Sequence, residues 1–332
     1  MLDLKNLSQK RLVMGFDGFI DRPARLPDIS TMAEFANWLN AREGSSGALD
    51  FRGGDYKIGG NMPIMANALA TLGGICDCVG AVSDPLFSSM HENCKLYPVC
   101  APGTCIALEF KSGKLMLSDN RPIENLDFKS ICAAIPNLKE LYEKADLWAF
   151  LNWSELPHMS NIMRAFLDEI VITPEKIIFF DLSDPSTRSE SDLLGALDLI
   201  SKFAKRATAV LSLNDNEANI LAKTLDCPND AENLLKKSGA SVLMIRHLRR
   251  AYAASNKKTA EIAVNFIEKP KLLTGAGDNF NAGFAAGLLL GAELEDALIL
   301  GTNVSSYYIL SAKSPNQEEL LRWTASCGQY WK

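Results

Sequence analysis

Short, almost continuously apolar runs separated by amphipathic stretches limit the folds open to this chain. The runs are RLVMGF (11–16), CDCVGAVS (76–83), DLWAFLNW (146–153), KIIFFDLS (176–183), AVLSLN (209–214) and SVLMIRH (241–247). They are too short for helices and too uniformly apolar for half-exposed strands, which predicts strands buried on both faces. Between most of them lie segments with helical spacing. MPIMANALATLGG (62–74) ends on two glycines, a C-cap signal, and SDLLGALDLISKFAKR (191–206) opens on a Ser–Asp cap signal and ends basic, as the helix dipole favours. NEANILAKTL (216–225) and AENLLKKSG (231–239) repeat the pattern. Strand then helix, repeated, predicts an α/β fold: a parallel sheet covered by helices on both faces, with ligands at the carboxyl ends of its strands.

Two stretches break this rhythm. DFRGGDYKI (50–58) alternates poorly and carries glycines, and GTCIALEFKSGKLMLS (103–118) reads as two strands joined at Ser112-Gly113. Together they predict a small β element inserted in pieces, about 17–58 and 100–120, beside the carboxyl ends of the sheet, where it would act as a lid. One α/β domain spanning 1–332 is the expected organisation.

The net charge of -6 argues against a general nucleic-acid-binding surface. No apolar run approaches the roughly 20 residues that span a bilayer, and MLDLKNLSQKRLVMGF lacks the apolar core and cleavage site of a signal peptide. A cytoplasmic protein without membrane partners is expected, its eight cysteines buried and reduced. Cys76 and Cys78 are too close for a zinc knuckle, and Cys94, Cys100 and Cys105 have no histidine at ligand spacing. His91 and His158 have no partner at motif spacing and read as structural, and the N-x-[ST] triplets at Asn6, Asn152 and Asn303 carry no meaning in a cytoplasmic protein.

The segment LLTGAGDNFNAGF (272–284) carries the chemistry. Glycines lead into a helix expected to start near Asp278, with Phe280, Phe284 and Leu288 on its buried face and Gly283 and Gly287 where a neighbour packs closely. The amides of Gly275, Ala276 and Gly277 would form an anion hole suited to a phosphoryl group in transfer. Asp278 would either cap the helix or take the proton of an attacking hydroxyl, and position alone does not separate the two. There is no GxxxxGK[ST], and Phe280 stands where GxGxxG needs its last glycine.

TGAGDNFNAGF resembles the C-terminal signature of the ribokinase-like (PfkB) carbohydrate kinases. GFDGFID (15–21), GGNMPIMANALATLG (59–73), NDNE (214–217) and GTNVSSYYI (301–309) resemble further pieces of that family in order and spacing. The resemblance implies a ribokinase-like sandwich and a kinase moving the γ-phosphoryl of MgATP to a hydroxyl of a sugar-like molecule. Asp278 would be the base, with Gly275, Ala276 and Gly277 as the anion hole. Asp21 would hold substrate hydroxyls beside Gly60 and Asn61, with Asp17 a second candidate. Asn214 and Glu217 would organise Mg2+ through water. Arg188, in DLSDPSTR (181–188), would meet the transferring phosphoryl group. Thr274 and Asn303 would lie on the nucleotide.

The chain also departs from the family pattern. Leu272 and Leu273 replace an Asp-Thr pair that helps many members bind a monovalent cation, so that dependence is not carried over. Ile64 stands where a second asparagine is expected, and Asn67, one turn on, is not its replacement. IRHLRRA (245–251) replaces a glycine-bearing loop under the nucleotide, with His247 and Arg250 in place of the glycines. Arg246, His247, Arg249 and Arg250 are therefore candidates for nucleotide phosphates, against a plain exposed basic loop. This loop keeps ADP open as donor. A non-catalytic sugar- or nucleotide-binding relative is the reading from another class, which the retained Asp278, Asn214 and Glu217 oppose. A homodimer through the lid is left open.

Overall fold

A computed structural model describes residues 3–264 and 266–327. The strands are β1 (Arg11–Phe16), β2 (Phe19–Arg25), β3 (Arg52–Gly53), β4 (Lys57–Gly59), β5 (Ile75–Gly80), β6 (Cys94–Pro98), β7 (Gly103–Phe110), β8 (Gly113–Asp119), β9 (Leu147–Leu151), β10 (Ile177–Asp181), β11 (Thr208–Asn214), β12 (Val242–Arg246), β13 (Arg250–Ser255) and β14 (Thr259–Ala263). Nine of them form one sheet in the order β14-β13-β12-β11-β10-β9-β1-β5-β6. From β12 to β6 every pairing is parallel, and β13 and β14 close one edge antiparallel. All six apolar runs are strands of this sheet, as expected.

The helices are α1 (Met32–Asn40), α2 (Asn61–Thr71), α3 (Phe128–Ala134), α4 (Leu138–Glu143), α5 (Met159–Glu169), α6 (Glu190–Ala204), α7 (Asp215–Thr224), α8 (Ala231–Ser238), α9 (Ala276–Leu289), α10 (Leu294–Ser311) and α11 (Gln317–Cys327). The large sheet separates two apolar clusters. One joins Phe16, Phe150, Phe180 and Phe203 to α5, α6 and α8; the other packs Met14, Phe179 and Met244 against α2, α9 and α10. Strands buried on both faces are what their unbroken apolar sequences require. The cap of α6 lies two residues before the expected one: Ser189 accepts from the Asp192 amide at 3.1 Å. Gly283 lies against Gly301 of α10, the close packing expected of it.

A second, five-stranded sheet is built from both inserted pieces, in the order β3-β2-β7-β8 with β4 also on β2. The β7–β8 hairpin turns through Lys111 and Ser112. The first piece also contains α1, which the sequence reading did not anticipate. Its capping box, Thr31 with Glu34, starts a helix whose Phe35 and Trp38 pack on Ala24, Leu26, Ile29 and Leu108 of a small separate core. Among the described residues no helix is long and apolar enough to cross a membrane, no cluster of three or more His, Cys, Asp or Glu is placed to hold a metal, and seven cysteines are free. The Cys327 side chain lies outside the described residues.

Candidate active site

Neighbouring parallel strands deliver polar residues to one edge of the large sheet. β1 runs into Asp17, β9 into Asn152, and β10, β11 and β12 end on Asp181, Asn214 and Arg246. Facing them is the turn Thr274–Asp278. Gly275 has φ 87°, and a Cβ there would stand 2.7 Å from the Tyr308 hydroxyl, which donates to the Thr274 carbonyl at 2.7 Å. Only glycine fits both constraints. The turn is also held by Ser305, whose hydroxyl donates to the Ala276 carbonyl at 2.9 Å.

α9 begins at Ala276, two residues earlier than expected, with Gly275 as N-cap. Asp278 is therefore inside the first turn and is not the cap residue. The Ala276 amide donates to the Leu273 carbonyl at 3.1 Å, which corrects its expected place in the anion hole and leaves the Gly275 and Gly277 amides for an anion. Desolvation pushes the Asp278 carboxyl well above the usual carboxylate range; the charges of Asp181 and Asp17 add to this, and Arg246 opposes it. One turn further, Asn281 ties α9 to the sheet. Its Nδ2 donates to Asp181 at 2.7 Å, and its Oδ1 accepts from Ser212 at 2.8 Å.

Two cavities meet at this turn. The larger, about 540 Å³, is lined by Ala276, Gly277, Arg246, Asn214, Phe280 and Thr302, among others. The smaller, about 190 Å³, is lined by Thr274 and Asp278 together with Asp21, Gly60, Asn61 and Asn152. Glu155, Ser118, Ser183 and Ile64 also belong to its wall. Burial raises the Asp21 carboxyl to about 6, while Lys114 on β8 draws it down.

Arg246 is the cation of the larger cavity. Its Nε and Nη1 are buried without a hydrogen-bond partner among the described residues, and its Nη2 stands 3.6 Å from Asp181. The guanidinium lies where any Cβ on Gly277 would fall, so the bare glycine lets it reach the turn. An arginine held like this, with donors unused, is prepared for an anion.

The profile of the prokaryotic ketohexokinase family matches residues 4–327. The chain belongs to that family. It is 25% identical over 347 aligned positions to the ketohexokinase of Haloferax volcanii, covering 97% of this chain and 92% of that protein. Its fold is ribokinase-like. The ribokinase of Thermotoga maritima superposes with a TM-score of 0.70 at 16% identity, over 95% of this chain and 99% of that one. Phosphofructokinase-2 of Escherichia coli superposes at 0.67 and 14% identity, over 96% and 99%. The protein is a carbohydrate kinase, moving phosphate to a hydroxyl.

The kinase brings Asp21, Gly60, Asn61, Thr274 and Asp278 to one cavity and Asn214, Arg246, His247, Ala276 and Gly277 to the other. Gly275, Glu217, Arg249 and Arg250 line neither, and Asp17, Arg188 and Asn303 stand elsewhere. Asp17 is fully buried, accepting from the Asn61 and Met62 amides at 2.7 and 2.9 Å and from Asn152 Nδ2 at 2.9 Å. It holds the start of α2 and does not line the smaller cavity. Arg188 lies over the Trp153 ring at 4.5 Å and donates to the carbonyls of Trp153, Leu156 and Pro157 at 3.3–3.4 Å. It pins that loop and lines neither cavity. Asn303 is buried inside α10, whose Thr302, Ser305 and Ser306 line the larger cavity in its place.

Other residues carry a local explanation beside the functional one. Asn214 and Glu217 form a reciprocal capping box on α7, and burial plus repulsion from Asp181 raises Glu217 to about 8. His247 pairs with Asp215. Arg249 covers Phe266, and Arg250 pairs with Glu261 at 3.1 Å, so these two cations have local partners outside the cavities. Asn67 accepts from the His91 amide at 2.8 Å and serves the fold. The sequence reading missed Asp181, Asn152, Glu155 and Lys114. A polar residue closing an apolar strand run was the available signal for the first two.

Proposed function

We propose that this kinase transfers the γ-phosphoryl of MgATP to a hydroxyl of a ketohexose, with Asp278 as general base. The observation that carries this is the single turn dividing the two cavities. Gly277 faces the larger and Asp278 the smaller, so a phosphoryl group bound at the Gly275 and Gly277 amides has a donor on one side and an acceptor on the other. The acceptor hydroxyl gives its proton to the Asp278 carboxylate as its oxygen bonds to the γ-phosphorus. The bond to the β-phosphate oxygen breaks and ADP leaves.

Each cavity suits its ligand. Asp21, Glu155 and the Asn152 Oδ1, which is buried without a partner among the described residues, offer acceptors to a molecule rich in hydroxyl donors. Phe280, Ile309 and Val264 give the larger cavity apolar walls for a base, and Arg246 meets the phosphates. In this reading Arg246 takes the role first expected of Arg188.

The carboxylates of Asp181, Glu217 and Asp278 outnumber the one nearby guanidinium, and Glu217 and Asp278 are raised first by burial and then by the charge of Asp181. Such a site fits a hydrated Mg2+ carried by the nucleotide, with Glu217 and Asn214 holding its waters. Bound there, the ion would neutralise phosphate charge. The second sheet acts as lid of one catalytic unit in this reading. The apolar pair Ile106 and Leu117, exposed and adjacent on it, would serve a homodimer. The proposed setting is cytoplasmic, in keeping with the unbridged cysteines.

The test is turnover against ketohexoses, aldohexoses and nucleosides, with MgATP and MgADP in parallel. Fastest turnover with a ketohexose and MgATP is expected. A nucleoside preference, or turnover with MgADP alone, would overturn the assignment.

A further inference from the structure

Three of the cysteines come together away from both cavities. Cys76 and Cys78 lie on β5, and Cys94 opens β6, the outermost strand at that edge of the large sheet. Cys94 stands opposite Cys76 in the parallel ladder, and all three side chains pack in the apolar cluster that holds Met14 and α2. Cys76 and Cys78 are fully buried, and the half-buried Cys94 thiol is hydrogen-bonded to both. Neither cavity at the Thr274–Asp278 turn uses any of them.

A cysteine meets an oxidant as its thiolate, so the thiol that ionises most readily and reaches solvent is the one that reacts. Hydrogen bonds from Cys76 and Cys78 hold the Cys94 thiol well below the usual range, and the charge of His91 adds to this. Every other free cysteine among the described residues is shifted the other way, Cys100, Cys105, Cys132 and Cys227 chiefly by burial. Geometry then separates the two neighbours of Cys94. Registered residues on adjacent strands have Cα atoms about 4.8 Å apart, inside the range of roughly 4.4–6.8 Å that a disulfide spans. Cys78, two residues further along β5, is about 8 Å from Cys94 on the same geometry, beyond that range. Cys76 can therefore be bridged to Cys94, and Cys78 cannot without backbone movement.

We propose that Cys94 is a peroxide-reactive thiol, with Cys76 as the partner that closes a reversible disulfide and Cys78 as a hydrogen-bond donor to the reacting sulfur. The Cys94 thiolate attacks one peroxide oxygen. An S–O bond forms, the O–O bond breaks, and the departing hydroxide takes up a proton as water. The Cys76 sulfur then attacks the sulfur of the Cys94 sulfenic acid. The S–S bond forms, the S–O bond breaks, and hydroxide leaves with the Cys76 proton as a second water. Two thiols give up two electrons and one peroxide is reduced. The bridge clamps the edge strand to β5 and closes the segment 77–93, which sets Ala81 and Phe87 against Gly18 at the foot of β2. Such a closure stabilises by constraining the unfolded chain.

The experiment treats the reduced full-length enzyme with hydrogen peroxide, blocks the remaining thiols and locates each modified cysteine by mass spectrometry, with dimedone in a parallel sample to trap sulfenic acid. Wild type should form a Cys94–Cys76 disulfide that dithiothreitol reverses, with Tm raised by a few degrees. In Cys76→Ser, dimedone should label Cys94 and no bridge should form. In Cys94→Ser, Cys76 and Cys78 should stay reduced. Cys78→Ser should still form the bridge, about tenfold more slowly, because the thiolate loses one donor. The wild-type result decides the proposal even where a buried serine unfolds a variant. Oxidation of any other cysteine while Cys94 stays free would overturn it, as would a Cys94–Cys78 bridge. So would an unreacted Cys94 at a peroxide dose that oxidises free cysteine. A Cys94–Cys76 disulfide without a rise in Tm would overturn the clamp on the edge strand.

Discussion

The two cavities that meet at Thr274–Asp278 are built from different parts of the molecule. The larger is walled mainly by α9, α10 and the end of β12, and the buried Arg246 guanidinium lines it together with His247 and Glu268. The smaller is closed partly by β2, β7 and β8 of the second sheet and is lined by Asp21, Glu155 and Asp278. One side binds with a cation, amides and apolar surface; the other binds with hydrogen-bond acceptors. A polyanion with a flat apolar base fits the first and a neutral polyol fits the second. In the proposed reaction, transfer runs from the first side to the second.

The sharpest way to break this comparison is at the turn itself. Asp278→Asn keeps the shape of both cavities while removing the proton acceptor. Its kcat should fall by about 10²-fold or more, the range for a lost general base, with both KM values changed little. Substrate titrations on the folded variant check this. A loss confined to one KM would show that Asp278 belongs to one cavity and not to the passage between them.

The second comparison sets one arginine against another. Arg246→Met should lower kcat/KM for MgATP by about 10²-fold, because the bound phosphates lose a buried donor set and Asp181 loses its cation. Arg188→Met should leave kcat/KM near wild type and cost about 1 kcal/mol of stability, through lost carbonyl contacts and the Trp153 stacking. Initial rates and chemical denaturation on both variants measure the contrast. The reverse pattern would restore Arg188 to the site.

That pair also shows where sequence reading stops. The large sheet was legible because burial on both faces forces unbroken apolar runs, as in IIFFD and VLMIR. The edge strand CKLYP and the antiparallel RAYAAS are only part-buried, and nothing periodic marked them. α1 escaped because none of its residues is fully buried, although T-x-x-E at Thr31–Glu34 was a readable start signal. In the site, the glycine turn drew attention to Asp278 but left cap and base open, and the base role was implied by the family resemblance. Arg188 and Arg246 look alike as letters. What separates them is that Arg246 ends a parallel strand beside the turn, while Arg188 lies against the 153–157 loop, and only the sheet order reveals that.

Acceptor binding should carry a pH signature. Asp21 has a carboxyl raised to about 6 by burial. Below that pH it is protonated and gives weaker bonds to sugar hydroxyls. The fructose KM should therefore rise about tenfold between pH 7 and pH 5, and Asp21→Ala should remove that dependence while raising KM at pH 7 by a similar factor. Removing Lys114 should move the rise to higher pH, because its charge holds the Asp21 value down.

The smallest effect on activity, and the clearest on stability, separates Asp21 from Asp17. Four residues apart, both have carboxyls near 6, each raised mainly by burial. Yet Asp17 satisfies two amides at the start of α2 and the Asn152 amide group, whereas Asp21 faces open cavity. Asp17→Ala leaves those donors buried and unpaired and should cost about 2 kcal/mol, seen as a fall of a few degrees in Tm; Asp21→Ala should leave Tm almost unchanged. The sign of the pH effect follows from the raised value. The contribution from the Asp17 proton is fully present below about 4 and is lost as pH rises through about 6. Replacing Asp17 with Asn, which carries no charge at any pH, should therefore cost more at pH 5 than at pH 7.5. An equal cost at both would mean that the carboxyl sits closer to water than its burial indicates, and the division between a structural and a binding aspartate would fail.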